Sequence, residues 1–269
     1  MAKNKKVSII ITVVKNRGWL DECIKSALSQ DFEDYEIILA SDENPEMKKY
    51  ADKYGLRFSL CENGDCLSKN FNRAVRMAKG EFIKVLADDD LLTPNCLKDL
   101  VNNIGDNPLI HADAINFWEN SIFKYIINVI NILIKWRNIR LTLSYIRGGL
   151  IKLKEKRKEI LSKPHMGASL SELMTLRSSY IHGGTILFKK DVFLKYGGYD
   201  ENLKCCEDYD FYLNLLSRGF KFSYVDKVVY RYRKHRKQKS KFPNSPSRER
   251  AKRYIFKKIQ MSRKMNGLP

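Results

Sequence analysis

The chain has 269 residues, enough for one large domain or a domain with a small appendage, and its 43% hydrophobic content supports a substantial core. Fifty Lys and Arg against 31 Asp and Glu leave a formal charge of +19, which favours an anionic partner: nucleotide, acidic lipid, polyanionic glycan or nucleic acid. Cys23, Cys61, Cys66, Cys96, Cys205 and Cys206 form no Cys-x-x-Cys pair, which excludes a zinc ribbon and leaves scattered reduced thiols in a cytosolic protein as the expectation.

The N-terminal MAKNKKVSIIITVV starts basic, but its apolar run is strand-length and lacks a small-residue cleavage site. It reads as a first β-strand, Val7 to Val14, and not as a signal peptide. Leu20, Cys23, Ile24, Ala27 and Leu28 follow at helical spacing. Tyr35 to Ala40 is a second strand ending at Ser41 and Asp42. Met47, Tyr50, Ala51 and Tyr54 mark a second helix closed by Gly55, and Arg57 to Cys61 is a third strand. Leu67, Phe71, Ala74, Val75 and Ala78 make a third helix stopped by Gly80. Strands alternating with helices over a hundred residues argue for a parallel sheet with right-handed crossovers.

The stretch GEFIKVLADDDLLTP is the centre of the chain. Phe82, Ile83, Val85 and Leu86 predict a buried strand that ends in Asp88, Asp89 and Asp90. Thr93 and Pro94 supply an expected N-cap and first helical position for LKDLVNNI. Three adjacent carboxylates repel one another. They either point into water or hold a divalent cation, and the carboxyl end of a strand in an α/β sheet is where ligands sit.

Leu109 to Phe117 predicts another strand, after which the alternation breaks. Ser121 to Trp136 is apolar over most of a helical circumference, and Arg137, Arg140, Arg147, Lys152, Lys154, Lys156, Arg157 and Lys158 follow it. Two readings stand: a helix lying in an anionic membrane surface, or a helical insertion packed on the main domain. No stretch reaches the ~18 apolar residues of a membrane-spanning helix. Tyr180 to Lys189 returns to strand character, with Gly183 and Gly184 predicting a bulge or a close backbone approach. Short helices follow at Asp191–Tyr196 and Glu207–Arg218, then strands at Lys221–Val225 and Val228–Tyr232, and a last helix from about Ser247 to Lys264.

Taken together, VSIIITVV, KNFNRAVRMAKGEFIKVLADDDLLTP and GGTILFKKDVFLKYGGYDENLKCCEDYDFYLNLLSRG make the chain resemble family 2 of the inverting nucleotide-sugar glycosyltransferases. The resemblance covers roughly residues 5–117 and 178–236. It implies an α/β GT-A fold, a Rossmann-like mixed sheet flanked by helices, here with a helical basic insertion and a basic C-terminal tail. It divides the chain into a nucleotide-sugar-binding half (1–117), the insertion (118–177), an acceptor-binding and catalytic half (178–236) and the tail (237–269).

The resemblance also implies roles. Thr12 and Asp42 contact the nucleoside, the carboxylate accepting from an imide N–H of a uracil-like base. Asn70 shapes the nucleotide-sugar pocket, Asp88 approaches the ribose or, through water, the metal, Asp90 orients the sugar, and Asp89 holds Mn²⁺ or Mg²⁺, with His235 closing over the metal or the diphosphate. Asp208 is the general base, with Glu207 binding the acceptor or taking over that role. His182, Gly183 and Gly184 touch the acceptor or sugar. Val14 and Ala87 depart from the family pattern, which commonly has an aromatic residue and an aspartate there. The implied partners are a nucleotide-sugar donor, UDP-linked, and a glycan or lipid-linked glycan acceptor, at a cytoplasmic site peripheral to the inner membrane face. Alternatives are an acceptor in nucleic acid and a non-catalytic binding protein of the same fold.

Overall fold

The computed structural model describes residues 7–13, 16–42, 45–61, 67–118, 160–161, 181–235, 238 and 245–265. Strand β1 (Val7–Val13) is mostly β-branched and buried along nearly its whole length, as a central strand covered on both faces must be. Helix α1 (Leu20–Leu28) buries Leu20, Cys23, Ile24 and Ala27 on one stripe. Then come β2 (Tyr35–Asp42), α2 (Pro45–Tyr54), β3 (Arg57–Cys61), α3 (Leu67–Met77) and β4 (Phe82–Ala87). The chain continues through β5 (Leu91–Leu92), α4 (Cys96–Asn103), β6 (Leu109–Trp118) and β7 (Ile160–Leu161). After a 3-10 turn at Gly183–Thr185 it forms β8 (Leu187–Lys189), α5 (Lys190–Lys195), α6 (Glu207–Ser217), β9 (Ser223–Lys234) and α7 (Pro246–Met265).

Among the described residues the strands form one mixed sheet in the order β3-β2-β1-β4-β8-β6-β9-β5, with β7 on β6. β1 pairs in parallel with β2 and β4, and β6 pairs in parallel with β9. The short β8 runs antiparallel to both β4 and β6, so β1, β4, β6 and β9 share one direction. Alternate residues of β1 split between two cores. Ile9 and Ile11 face the cluster built on α1, α2 and α4; Ile10 faces the one built on α3, α5, α6 and α7. No described helix is long and apolar enough to cross a membrane.

Three expectations change, and one element was not foreseen. The Thr93 hydroxyl donates to the Val228 carbonyl at 3.1 Å instead of capping a helix, and α4 begins at Cys96 behind Asn95. The two short strands expected around residues 221–232 are one strand, β9, whose register against β6 shifts at Asp113 to absorb Asp226 and Lys227. The strand expected from Tyr180 is a 3-10 turn leading into three residues of β8. The two-residue β5, antiparallel to β9, had no signal of its own. The apolar segment Ser121 to Trp136, the basic run to Lys158 and Val14 lie outside the described residues.

Candidate active site

The chain runs from β1 outward through β2 and β3, then returns to the other side of β1 as β4. The carboxyl ends of β1 and β4 therefore flank the point where strand order reverses, the crevice that open α/β sheets use for ligands. Thr12 lies opposite Ala40 of β2 and Ala87 of β4, and Asp88 is the next residue after β4. Asp42 closes β2 at the same end of the sheet. On α3, Asn70 is 1% exposed, and its Oδ1 has no hydrogen-bond partner among the described residues. Ser59, Ser68, Asp210 and Tyr212 also carry buried oxygens in that state, and Asn70 is distinguished from them by the role that the sequence resemblance implies for it.

The turn Asp88–Asp90 is held by the end of β9. Asp90 is 1% exposed and accepts from the Tyr230 hydroxyl at 2.8 Å and the Arg233 N–H at 2.7 Å. Burial, with the Asp89 charge beside it, pushes its carboxyl up to about 8. Arg233 donates from Nε to the Asp89 carbonyl at 2.7 Å, and its guanidinium reaches Glu22 at 2.6 Å. Cys23 feels the same negative turn: burial first, then Asp88, Asp90 and Asp89, push its thiol well up. Asp89 Oδ2 lies 2.9 Å from His235 Nε2, and the imidazole packs against Trp19 with ring centroids 4.5 Å apart. Thus one aspartate of the triplet is internal and another faces a histidine.

The second half of the site is built on glycines. A Cβ at Gly184 would overlap the ring of Tyr230, and one at Gly183 would lie 3.0 Å from Asp208 Oδ2. The glycine pair is therefore a close backbone approach, made to Tyr230 and Asp208. The His182 ring packs on Tyr230 and Tyr232, and its Nδ1 accepts from the Gly184 N–H at 3.1 Å. That bond leaves Nε2 carrying the proton of the neutral ring. Burial, then the charges of Lys234 and Lys84, push His182 down to about 4. Asp208 is the second residue of α6, which follows Cys206, whose φ of 66° is a left-handed conformation that side chains rarely adopt. Its Oδ1 accepts from the Tyr209 N–H at 2.8 Å, and burial raises its carboxyl pKa. Close approaches thus run from Asp208 past Gly183 and Gly184 to Tyr230, and the Tyr230 hydrogen bond completes the path to Asp90. Only the backbone of Asp42 is described, and it joins the group by strand position.

Among the described residues no group of three or more His, Cys, Asp or Glu forms a ready metal cage. The Asp89–His235 pair supplies one carboxylate oxygen and one imidazole nitrogen side by side. Divalent ions bound together with substrate phosphates commonly take only one or two protein carboxylates, the phosphate oxygens completing the shell. The donor set fits that shared kind of site. Three participants escaped the sequence reading: Tyr230, Arg233 and Lys84. The signal for Lys84 was present, a lone charge in the apolar run FIKVL. Tyr230 and Arg233 sat in a basic stretch with nothing to distinguish them from a solvated strand.

The glycosyl transferase family 2 model matches residues 8–160, which spans β1 through β7 and the aspartate turn. The chain belongs to glycosyl transferase family 2. Curated relatives of this family 2 chain include uncharacterized glycosyltransferases of Rickettsia felis, 28% identical over 87% of this chain and 35% of the relative, and of Rickettsia typhi, 29% identical over 78% and 58%. The minor teichoic acid biosynthesis protein GgaB of Bacillus subtilis is 25% identical over 86% of this chain and 23% of its own length. The chain thus spans between about a third and three fifths of the first curated relatives it matches. Among solved structures, S. aureus TarS 1–349 in complex with UDP-GlcNAc superposes with a TM-score of 0.61 at 18% identity, over 87% of this chain and 60% of that one. The family 2 chain has the GT-A fold.

Proposed function

We propose that this chain is a glycosyltransferase that moves a sugar from a nucleotide-sugar donor, UDP-linked, to an acceptor hydroxyl in the synthesis of a cell-surface glycan. The observation that carries this reading is the continuous set of contacts joining the Asp88–Asp90 turn to Asp208. Thr12 and Asp42, at the ends of β1 and β2, take the nucleoside, and the unpartnered Asn70 oxygen accepts from the donor. Asp89 and His235 would hold Mn²⁺ or Mg²⁺, which would supply Lewis-acid stabilisation of the charge growing on the departing diphosphate. Asp208 accepts the proton of the acceptor hydroxyl while that oxygen bonds to the anomeric carbon. The bond from that carbon to the diphosphate oxygen breaks, and its electron pair leaves with the nucleotide. Attack from the side opposite the diphosphate inverts the anomeric centre. The raised pKa of Asp208 suits this task, because a carboxylate with higher proton affinity is a stronger base. Glu207 opens the same helix and binds the acceptor.

The name of one relative, the minor teichoic acid biosynthesis protein GgaB, supports an acceptor of that class. The decisive assay measures nucleotide release from a panel of nucleotide-sugars with Mn²⁺. Asp89→Ala is expected to abolish turnover and metal-dependent UDP binding together. Unchanged activity in that variant removes the metal assignment, and no release from any donor by the wild-type chain removes the transferase reading.

A further inference from the structure

Lys84 interrupts the apolar strand β4, and its side chain is fully buried. Among the described residues no carboxylate lies within ion-pair distance of it. A buried ammonium is costly unless its hydrogens find acceptors, so where they go is informative. They go to backbone carbonyls: Lys84 donates to Gly184 and, at 3.0 Å, to Val85. Its Nζ also lies 5.3 Å from the centre of the Tyr230 ring.

Gly184 is the middle of the turn that makes the site. Its N–H is bound by His182 Nδ1, its Cα faces Tyr230, and its neighbour Gly183 abuts the Asp208 carboxylate. A valine or leucine at position 84 would serve the strand better and would leave the Gly184 carbonyl without this donor. We infer that Lys84 is a positioning residue for the candidate base, its ammonium fixing the His182–Gly184 turn against the Asp208 carboxylate. The inference rests on the reading of Asp208 as the base. The same charge, close to His182, helps keep that imidazole neutral and able to accept from Gly184.

The test compares the full chain with Lys84→Met and with Lys84→Gln, the latter keeping a hydrogen-bond donor if the former fails to fold. Three quantities are read: turnover, UDP affinity with Mn²⁺ by calorimetry, and the His182 imidazole titration by NMR, assigned with His182→Gln. Loss of the tie is expected to lower kcat by about 10²-fold while UDP affinity stays within about twofold, the effect of a misplaced group rather than a lost binding contact. The His182 midpoint is expected to rise in Lys84→Met, and Lys84→Gln to recover part of the lost turnover. Unchanged kcat and an unchanged His182 midpoint in a folded variant overturn the proposal. So does a loss of UDP affinity in step with kcat, which would make Lys84 a support of the sheet alone. If the wild-type chain turns over no donor, the transferase reading fails, while the His182 midpoint still decides whether Lys84 holds the turn.

Discussion

Tyr230 donates its phenol proton to Asp90 at 2.8 Å, and the same ring occupies the space that a side chain at Gly184 would need. One residue of β9 therefore touches both the aspartate turn after β4 and the glycine turn that carries the second half of the site. The two turns of the candidate site are fixed to a common post.

Asp90 is expected to act through shape more than through charge, since burial lifts its carboxyl to about 8. Asp90→Ala removes the acceptor of both the Tyr230 hydroxyl and the Arg233 N–H, and should cost about 2–4 kcal/mol. Asp90→Asn keeps the outline and one carbonyl oxygen, and should cost less than half as much. Urea denaturation of the two variants checks this; equal losses would contradict it.

The two glycines separate stability from chemistry. Gly184→Ala drives a methyl into the Tyr230 ring and should destabilise the fold by about 2 kcal/mol or more. Gly183→Ala meets only the tip of Asp208, 3.0 Å away, which is able to swing aside. Its melting temperature should stay near that of the wild type while kcat falls. Thermal melts beside steady-state kinetics read both effects.

Asp208→Asn should lower kcat by about 10³-fold and leave donor KM within about threefold, the pattern of a lost general base. Because burial raises the carboxyl of Asp208, the acid limb of the wild-type kcat profile should fall above the ordinary carboxylate range. Initial rates across pH, with saturating donor, measure it.

His182 gives the fold a pH dependence of known sign. Its folded pKa is pushed from 6.5 down to about 4, so the unfolded chain binds more protons between those values. The stability contributed by the neutral ring is complete above the unfolded value and is lost as the pH falls toward the folded one. From pH 7 to about 4.5 the wild type should lose about 2–3 kcal/mol more than His182→Gln. Parallel denaturation curves for the two proteins would rule it out.

The strands β1, β2 and β4 were legible because each is a largely apolar run of strand length with residues in both cores. The last third was harder. Two residues of β5 carry no period, and Asp226 and Lys227 look like a turn because both are exposed, although a bulge carries β9 straight through them. Thr93 has the sequence of a cap, but the strand it finds across the sheet outcompetes the helix for its hydroxyl. The acidic residues were visible as a motif, whereas the groups that hydrogen-bond to Asp89 and Asp90 from β9 and its end are 140 or more positions away and no local pattern announces them. Lys84 was the exception, a charge in a place where only a tertiary partner justifies one.

The distance in sequence between Asp90 and Tyr230, 140 positions, has a temporal side. A ribosome adding about 5–20 residues per second needs roughly seven to thirty seconds to travel from one to the other. During that interval the emerging β4 segment carries its crowded acids with neither phenol nor guanidinium to meet them. The late arrival of β9 is then the event that completes the floor of the candidate site, and a nascent chain halted before it would leave the exit tunnel with its acidic corner unclosed.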